Sequence, residues 1–305
     1  MAFRTVEISH PAELHVQQNQ LIVIQESGTV RIPLDDIIHI TCLGPNIRLS
    51  TLALSKLNES GITLLVIDES YHASSIAIPV KGYSRQAMVI HKQIEFINSM
   101  KSKHLWLDII RQKIKNQREV LAILGLGGIE YFDAILGELN IQNVDECEAK
   151  AAKGYFQILS PGLNRRNETP FNSKLNYGYA VLRNSIIRSL VNKGFQPAIG
   201  IHHSNQLNAF NLADDLIEPF RPMVDLAAIH SKGDSLSLDK EERRTMANVL
   251  HSYCEFDGKK EKVVECIDHT IENLRAFIIQ NSEHQLCEFT LPKVIAQEVV
   301  LKVEE

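Results

Sequence analysis

Cysteine is scarce in this 305-residue chain: Cys42, Cys147, Cys254, Cys266 and Cys287 are scattered and odd in number. Such a set fits a reducing, cytoplasmic setting better than a disulfide framework. Long apolar runs are also missing. Nothing approaches the roughly 18 uninterrupted apolar residues that a membrane span needs, and the opening MAFRTVEIS lacks the apolar core of a secretory signal. No P-loop, Rossmann fingerprint or nucleophile elbow is present. Positive charge is in deficit overall, at a net −5, which taken alone argues against a nucleic-acid binder.

What is there begins with the placement of that charge. Between Ala149 and Gly200 stand Lys150, Lys153, Arg165, Arg166, Lys174, Arg183, Arg188 and Lys193, against the single acid Glu168. So strong a local excess in an acidic chain points to a face for an anionic partner. The alternative is a set of solvated helix faces with counter-charges elsewhere in the chain.

The pattern of elements predicts an α+β protein. Residues 1–80 read as an antiparallel β-domain with one short helix, because TVEIS, ELHVQ, QLIVIQ, TVRIPL and DIIHITC are short β-branched runs between polar turns. Ser50 is placed to cap the helix that carries Leu52, Leu54 and Leu57. A linker is expected at 81–86. From 87 to 305 the chain reads as α-helical, with apolar spacing of three and four over 86–99, 103–124, 144–158, 175–193, 212–229, 239–256 and 260–281. The tail from Gln285 fits a strand or a last helix equally.

Three groupings could carry chemistry. Asp145 and Glu148, three apart at a helix start, match a capping box, yet Glu148 is followed on its face by Ala152 and Tyr155 and flanked by Lys150 and Lys153. Gly200-Ile201-His202-His203 sets adjacent histidines in a turn, so one imidazole at most faces a given site. The stretch NLADDLIEPFRPMVD, stepped at about 100° per residue, groups Asp214, Glu218 and Asp225 on one face with Arg221. A face so rich in carboxylates calls for a cation. Two carboxylates and an imidazole completed by water suit Mg²⁺ or Mn²⁺ rather than zinc.

Together the pieces CEAKAAKGYF, LNYGYAVLRNSIIRSLVNKGF and PAIGIHHSNQLNAFNLADDLIEPFRPMVD resemble the CRISPR-associated spacer-acquisition integrase family, the first-numbered protein of that system (Cas-one). The N-terminal IRLSTLALSKLNESGITLLVID fits as well, so the resemblance spans nearly the whole chain, and the wording is most similar to the type II branch. It implies a β-domain followed by a helical catalytic domain, a homodimer, and a metal site of a glutamate, a histidine and a second acid. Carried onto this chain these are Glu148, His203 rather than His202, and Glu218, with Asp215 as support. The activity implied is Mg²⁺- or Mn²⁺-dependent transesterification, a DNA 3′-hydroxyl attacking a phosphodiester at a CRISPR repeat, with endonuclease activity alongside. The implied partners are protospacer and repeat DNA, the second-numbered CRISPR protein and other type II adaptation proteins. Lys150, Lys153, Arg165, Arg166, Lys174 and Arg183 would then hold DNA phosphates, and Tyr155, Tyr177 and Asn184 would position DNA or pack. A non-catalytic DNA-binding scaffold, whose acids cap helices and pair with Arg221 or His202, is the competing expectation.

Overall fold

The computed structural model describes residues 4–44, 46–68, 73–77, 86–279 and 289–296. Its N-terminal part contains β1 (Arg4–Ile8), β2 (Ala12–Gln17), β3 (Gln20–Gln25), β4 (Gly28–Pro33), β5 (Ile37–Cys42), β6 (Ile47–Leu49), α1 (Thr51–Glu59), β7 (Thr63–Ile67) and β8 (Ala73–Ala77). Ser50 caps α1 as expected, its side chain accepting from the amide of Ala53 at 3.1 Å. The β2–β3 hairpin turns on Gln18 and Asn19, both at positive φ (49° and 58°), the conformation whose twist matches the flanking strands.

The strands form two sheets, ordered β1-β5-β7-β8 and β4-β3-β2-β6. Leu14, Leu21, Ile37, Ile40, Leu57 and Leu64 are among the buried residues of the core they share. The α+β class stands, but the antiparallel expectation is corrected. β1 pairs with β5, β5 with β7 and β2 with β6 in parallel. The physical reason is the route of the chain: α1 crosses over between β5 and β7, and a crossover returns the next strand in the same direction.

The second part contains α2 (Gln86–Ile97), α3 (Met100–Ile123), α4 (Ile129–Glu138), α5 (Val144–Leu159), α6 (Pro170–Asn192), α7 (Asn211–Leu216), α8 (Arg221–His230), α9 (Lys240–Ala247), β9 (Tyr253–Phe256), β10 (Lys259–Lys262), α10 (Val263–Ile279) and β11 (Lys293–Val294). It is not purely helical. β9 and β10 form a hairpin whose turn, Asp257-Gly258, has positive φ at both residues, a turn signal that the helical spacing over 239–256 and 260–281 obscured. The tail contributes β11, paired antiparallel to β9. The expected linker lies outside the described residues except for Gln86, which opens α2.

The helix expected over 212–229 is two helices. Pro219 cannot donate an amide hydrogen and crowds the preceding turn, so the chain bends through 217–220 before Pro222 begins α8 in its preferred first-turn position. Buried Asn116 on α3 donates to the freed carbonyl of Pro219 at 2.7 Å. α8 packs on α6 at Gly178, where a Cβ would meet Val224 at 2.5 Å and Met246 at 2.8 Å. Two long elements pass closely there because one of them has no side chain.

Next to that contact Asp225 is buried and accepts a hydrogen bond from Tyr179 Oη. Burial pushes its carboxyl up from 3.8 to about 6, with the Tyr179 and Tyr155 hydroxyls pulling the other way. The folded protein therefore holds this proton more tightly than the unfolded chain. The resulting stability is present at acid pH and is lost as pH rises through 6. Asp225→Asn is expected to remove that loss: between pH 4 and 7 the wild type should lose on the order of 3 kcal/mol relative to the variant, read by urea denaturation at both pH values.

Candidate active site

The segment 196–210 that carries the histidines has little regular structure, and side chains hold it instead. Gln93 of α2 donates to the carbonyls of Gln196 and Ile199 at 3.0 and 2.7 Å and accepts from the amide of Gln196 at 3.0 Å. Asn211 donates to the carbonyls of Ala198, Asn205 and Asn208. At the centre lies Asp215, fully buried. Its Oδ2 accepts from the amides of Ile201 and His202 at 2.5 and 3.2 Å, and its Oδ1 from the amide of His203 at 3.0 Å. Gly200 makes this approach possible, since a Cβ there would sit 2.3 Å from the His203 carbonyl and 2.8 Å from Asp215 Oδ2.

Asp215 also takes His203 Nδ1 at 2.7 Å, and this hydrogen bond raises the imidazole pKa against the lowering effect of its partial burial. With Nδ1–H donating to a carboxylate, the neutral ring keeps its lone pair on Nε2, an arrangement that also orients histidines at metal sites. His202 has other partners. Its ring stacks on Trp106 with centroids 4.2 Å apart and planes 4° from parallel, and its Nε2 lies 3.4 Å from Asp145 Oδ1.

The two glutamates meet at a lysine. Glu148 on α5 and Glu218 in the α7–α8 bend both contact the Nζ of Lys113 on α3, Glu148 through Oε1 and Glu218 through Oε2 at 2.6 Å. Arg221 Nε donates to the other oxygen, Glu218 Oε1, at 2.9 Å. Burial pushes the Glu218 carboxyl up, but Arg221 and Lys113 outweigh it and hold the group down at about 2. The same balance raises Lys113, whose burial penalty is exceeded by the charges of Glu218 and Glu148. Glu218 Oε2 is buried, and the Lys113 ammonium holds it in a charge-assisted contact.

A pocket of about 170 Å³ adjoins this cluster, lined by Lys113, Gln117, Phe156, Arg165, Tyr179, Glu218 and Arg221, with Ala152 at its edge. The guanidinium carbons of Arg165 and Arg221 lie 5.6 and 4.7 Å from the Tyr179 ring centroid, within the range of cation–π attraction. Lys113 and Arg221 are already met there by Glu148 and Glu218, and Arg165 adds a further positive charge to the wall.

Glu148 and Glu218 are thus brought together at Lys113, and the charge of Glu218 reaches the His203 ring, which itself contacts Asp215. Among the described residues, however, no three His, Cys, Asp or Glu side chains stand close enough together to hold a metal ion. An ammonium fills the gap between two of them. The chemistry of the donor set fits a hard divalent cation: two carboxylates meeting at one cationic point and an imidazole whose ring is oriented by a carboxylate.

Several sequence expectations are corrected. Asp145 is not an N-cap, because α5 is preceded by Asn143 and no side chain caps it; Asp145 accepts from Trp106 Nε1 at 3.3 Å. The three-carboxylate face does not exist, since Asp214 is held by Arg183 and Asp225 by Tyr179. In the basic segment, Lys174 is buried and donates to the carbonyls of Ser231, Lys232 and Gly233 at 3.1, 3.4 and 2.7 Å, closing the end of α8. Arg183 is spent on Asp214 and Asn208, Arg188 on Asp268 and Lys193 on Glu272. Tyr155, Tyr177 and Asn184 are buried. Lys150, Lys153 and Arg166 are exposed, Lys150 with Glu146 beside it at 2.8 Å, and Arg165 faces the pocket.

Lys113 and Trp106 escaped the reading of the sequence. A signal for Lys113 was present: it lies three and four residues from Ile110 and Ile109 and four from Gln117, all buried, so it is a charge on the inner face of α3.

Asp215→Asn sets an amide NH₂ against donors that now share a carboxylate. It is expected to lower stability by about 2–3 kcal/mol, measured by chemical denaturation, and to release backbone amide protection in hydrogen exchange at residues 201–203.

The sequence profile described as CRISPR associated protein Cas1 matches residues 7–242. The CRISPR-associated endonuclease Cas1 of Neisseria meningitidis serogroup C is 31% identical over 97% of this chain and 97% of its own length. Two solved structures share the fold at lower identity. One is a casposase bound to integration product, with TM-score 0.78 and 18% identity over 97% of this chain and 95% of that one. The other is a chain of a Cas6-RT-Cas1–Cas2 complex, with TM-score 0.74 and 17% identity over 92% of this chain and 35% of that one.

Proposed function

The chain belongs to the Cas1 family, and from that premise we propose that it is a divalent-metal-dependent DNA integrase and endonuclease of CRISPR adaptation. The observation that carries the reading is the meeting of Glu148 and Glu218 at one cationic point, the Lys113 ammonium, beside a pocket that Arg165 and Arg221 also line. Glu148, Glu218 and His203 Nε2 would hold Mg²⁺ or Mn²⁺. When bound, such an ion polarises a phosphate oxygen and stabilises charge on the attacking or leaving oxygen.

The chain's own groups do the rest. Asp215 holds the His203 ring and its loop in place. Arg221 keeps Glu218 ionised. Arg165 and Arg221 offer a phosphodiester a positive wall, and both guanidinium groups lie within cation–π reach of the Tyr179 ring. No side-chain nucleophile is required, because a DNA 3′-hydroxyl attacks the phosphodiester. Protospacer and repeat DNA are the proposed substrates. A second copy of the chain and a Cas2 protein are the proposed partners, the latter supported by likeness to a chain from a complex whose name includes Cas2. No helix among the described residues is long and apolar enough to cross a membrane, and action in the cytoplasm is part of the proposal.

One observation favours a second reading, a non-catalytic DNA-binding scaffold: the acids already have cationic partners in Lys113 and Arg221. Integration of a labelled short duplex into a repeat-bearing plasmid, with the Cas2 partner present, separates the two. Glu148→Gln, His203→Ala and Glu218→Gln should each reduce product about 10²-fold or more, and EDTA should abolish it. Full activity in any of these variants, or in chelator, overturns the assigned metal site, and a scaffold gives no product with the wild type either.

The exposed cations carry a separate expectation. Lys153→Ala with Arg166→Ala should weaken DNA binding and reduce the slope of log affinity against log salt by about 2. Lys174→Met should leave that slope unchanged while lowering the melting temperature, because Lys174 is bound to the end of α8. Fluorescence anisotropy over a salt series reads the first effect and thermal denaturation the second.

A further inference from the structure

The ammonium between Glu148 and Glu218 has no part in the chemistry above. Lys113 is only 7% exposed, flanked on its own helix by buried Ile109, Ile110 and Ile114. Its nitrogen contacts two carboxylates from two other elements. Glu218 has two oxygens, and Arg221 takes Oε1. The oxygen left for any other cation is Oε2, and that is the one Lys113 contacts. A metal ion and the Lys113 ammonium therefore compete for the same carboxylate oxygen.

We propose that Lys113 is a resident counter-cation that a divalent metal displaces. The proposal rests on Glu148 and Glu218 being metal ligands. In the metal-free protein, Lys113 and Arg221 balance Glu148 and Glu218, so the cluster is neutral and two buried or half-buried carboxylates are stable without metal. Exchange begins at Glu218 Oε2, the carboxylate oxygen that Lys113 holds and Arg221 leaves open. The displaced ammonium has a place to go, because Lys113 also lines the adjoining pocket with Arg165 and Arg221. Metal binding then turns a neutral cluster into a cationic one, with Lys113 added to the wall that faces a phosphate. Metal affinity is lowered by the cost of moving Lys113, and metal and DNA phosphate favour each other's binding.

The test is a Mn²⁺ titration followed by electron paramagnetic resonance of the free ion. Wild type, Lys113→Met and the double variant Glu148→Gln/Glu218→Gln are compared. Lys113→Met is expected to bind Mn²⁺ about ten-fold more tightly than wild type. Metal-free Lys113→Met should melt at a lower temperature than wild type and gain more on adding Mn²⁺. Binding that needs the two glutamates but is indifferent to Lys113 overturns the counter-cation and leaves the metal site standing. Binding that is unchanged in the double variant overturns both. Wild-type protein supplies a second readout should Lys113→Met not fold: amine acetylation at Lys113, quantified by mass spectrometry, with and without Mn²⁺. Acetylation should rise several-fold with metal, and an unchanged yield at saturating Mn²⁺ overturns the proposal.

Discussion

A buried ammonium between two carboxylates is the contact on which the site's architecture depends. Glu148 comes from α5, Glu218 from the bend between α7 and α8, and Lys113 from α3. Bringing two carboxylates together away from water costs several kcal/mol per ion unless a cation is placed between them. Lys113 supplies one, and Arg221 supplies a second at the remaining oxygen of Glu218. Three helical elements can therefore approach closely only because their charges close on one another. The α7–α8 bend has its own support in Asn116, which accepts the angle that Pro219 forces by bonding its carbonyl.

The histidine loop obeys the same logic on a smaller scale. It lacks a helix or strand ladder to satisfy its backbone, and one buried carboxylate substitutes for the ladder by accepting three successive amides and an imidazole. Gly200 is the steric condition for that arrangement. Under the proposed function this support would hold the His203 ring in place as a ligand. The β-domain is tied to this frame through Glu7 on β1, which accepts from Tyr177 of α6 and from Arg243 of α9.

The basic segment shows how tertiary contacts change the meaning of charge. Eight cations against one acid read as a single anion-binding face, yet Lys174, Arg183, Arg188 and Lys193 spend their charge within the protein. A linear count cannot see a counter-charge that lies tens of residues away. What is left for a partner is smaller and more focused: Lys153 and Arg166 on the surface, and Arg165 with Arg221 at the pocket.

Local pattern alone determined the α+β class, the Ser50 cap, most helix positions and the motifs that matched the Cas1 family, because periodicity, capping and short conserved-type wording are properties of neighbouring residues. It also placed Arg221 beside Glu218, three residues apart, while the group Glu148, His203, Glu218 and Asp215 came from the family resemblance and not from the pattern. Tertiary structure decided the rest. Parallel strand pairing depends on where a crossover lands, and the broken helix at Pro219 depends on whether Asn116 is there to take the freed carbonyl. The Asp145 cap, the Asp214–Glu218–Asp225 face and the buried Tyr155 and Tyr177 were plausible on a helical wheel, which shows the direction of a side chain and not what it meets. Lys113 is the clearest case. Its charge on the inner face of α3 was visible in the sequence, but its partners lie 35 and 105 positions away, and only the fold brings them to one nitrogen.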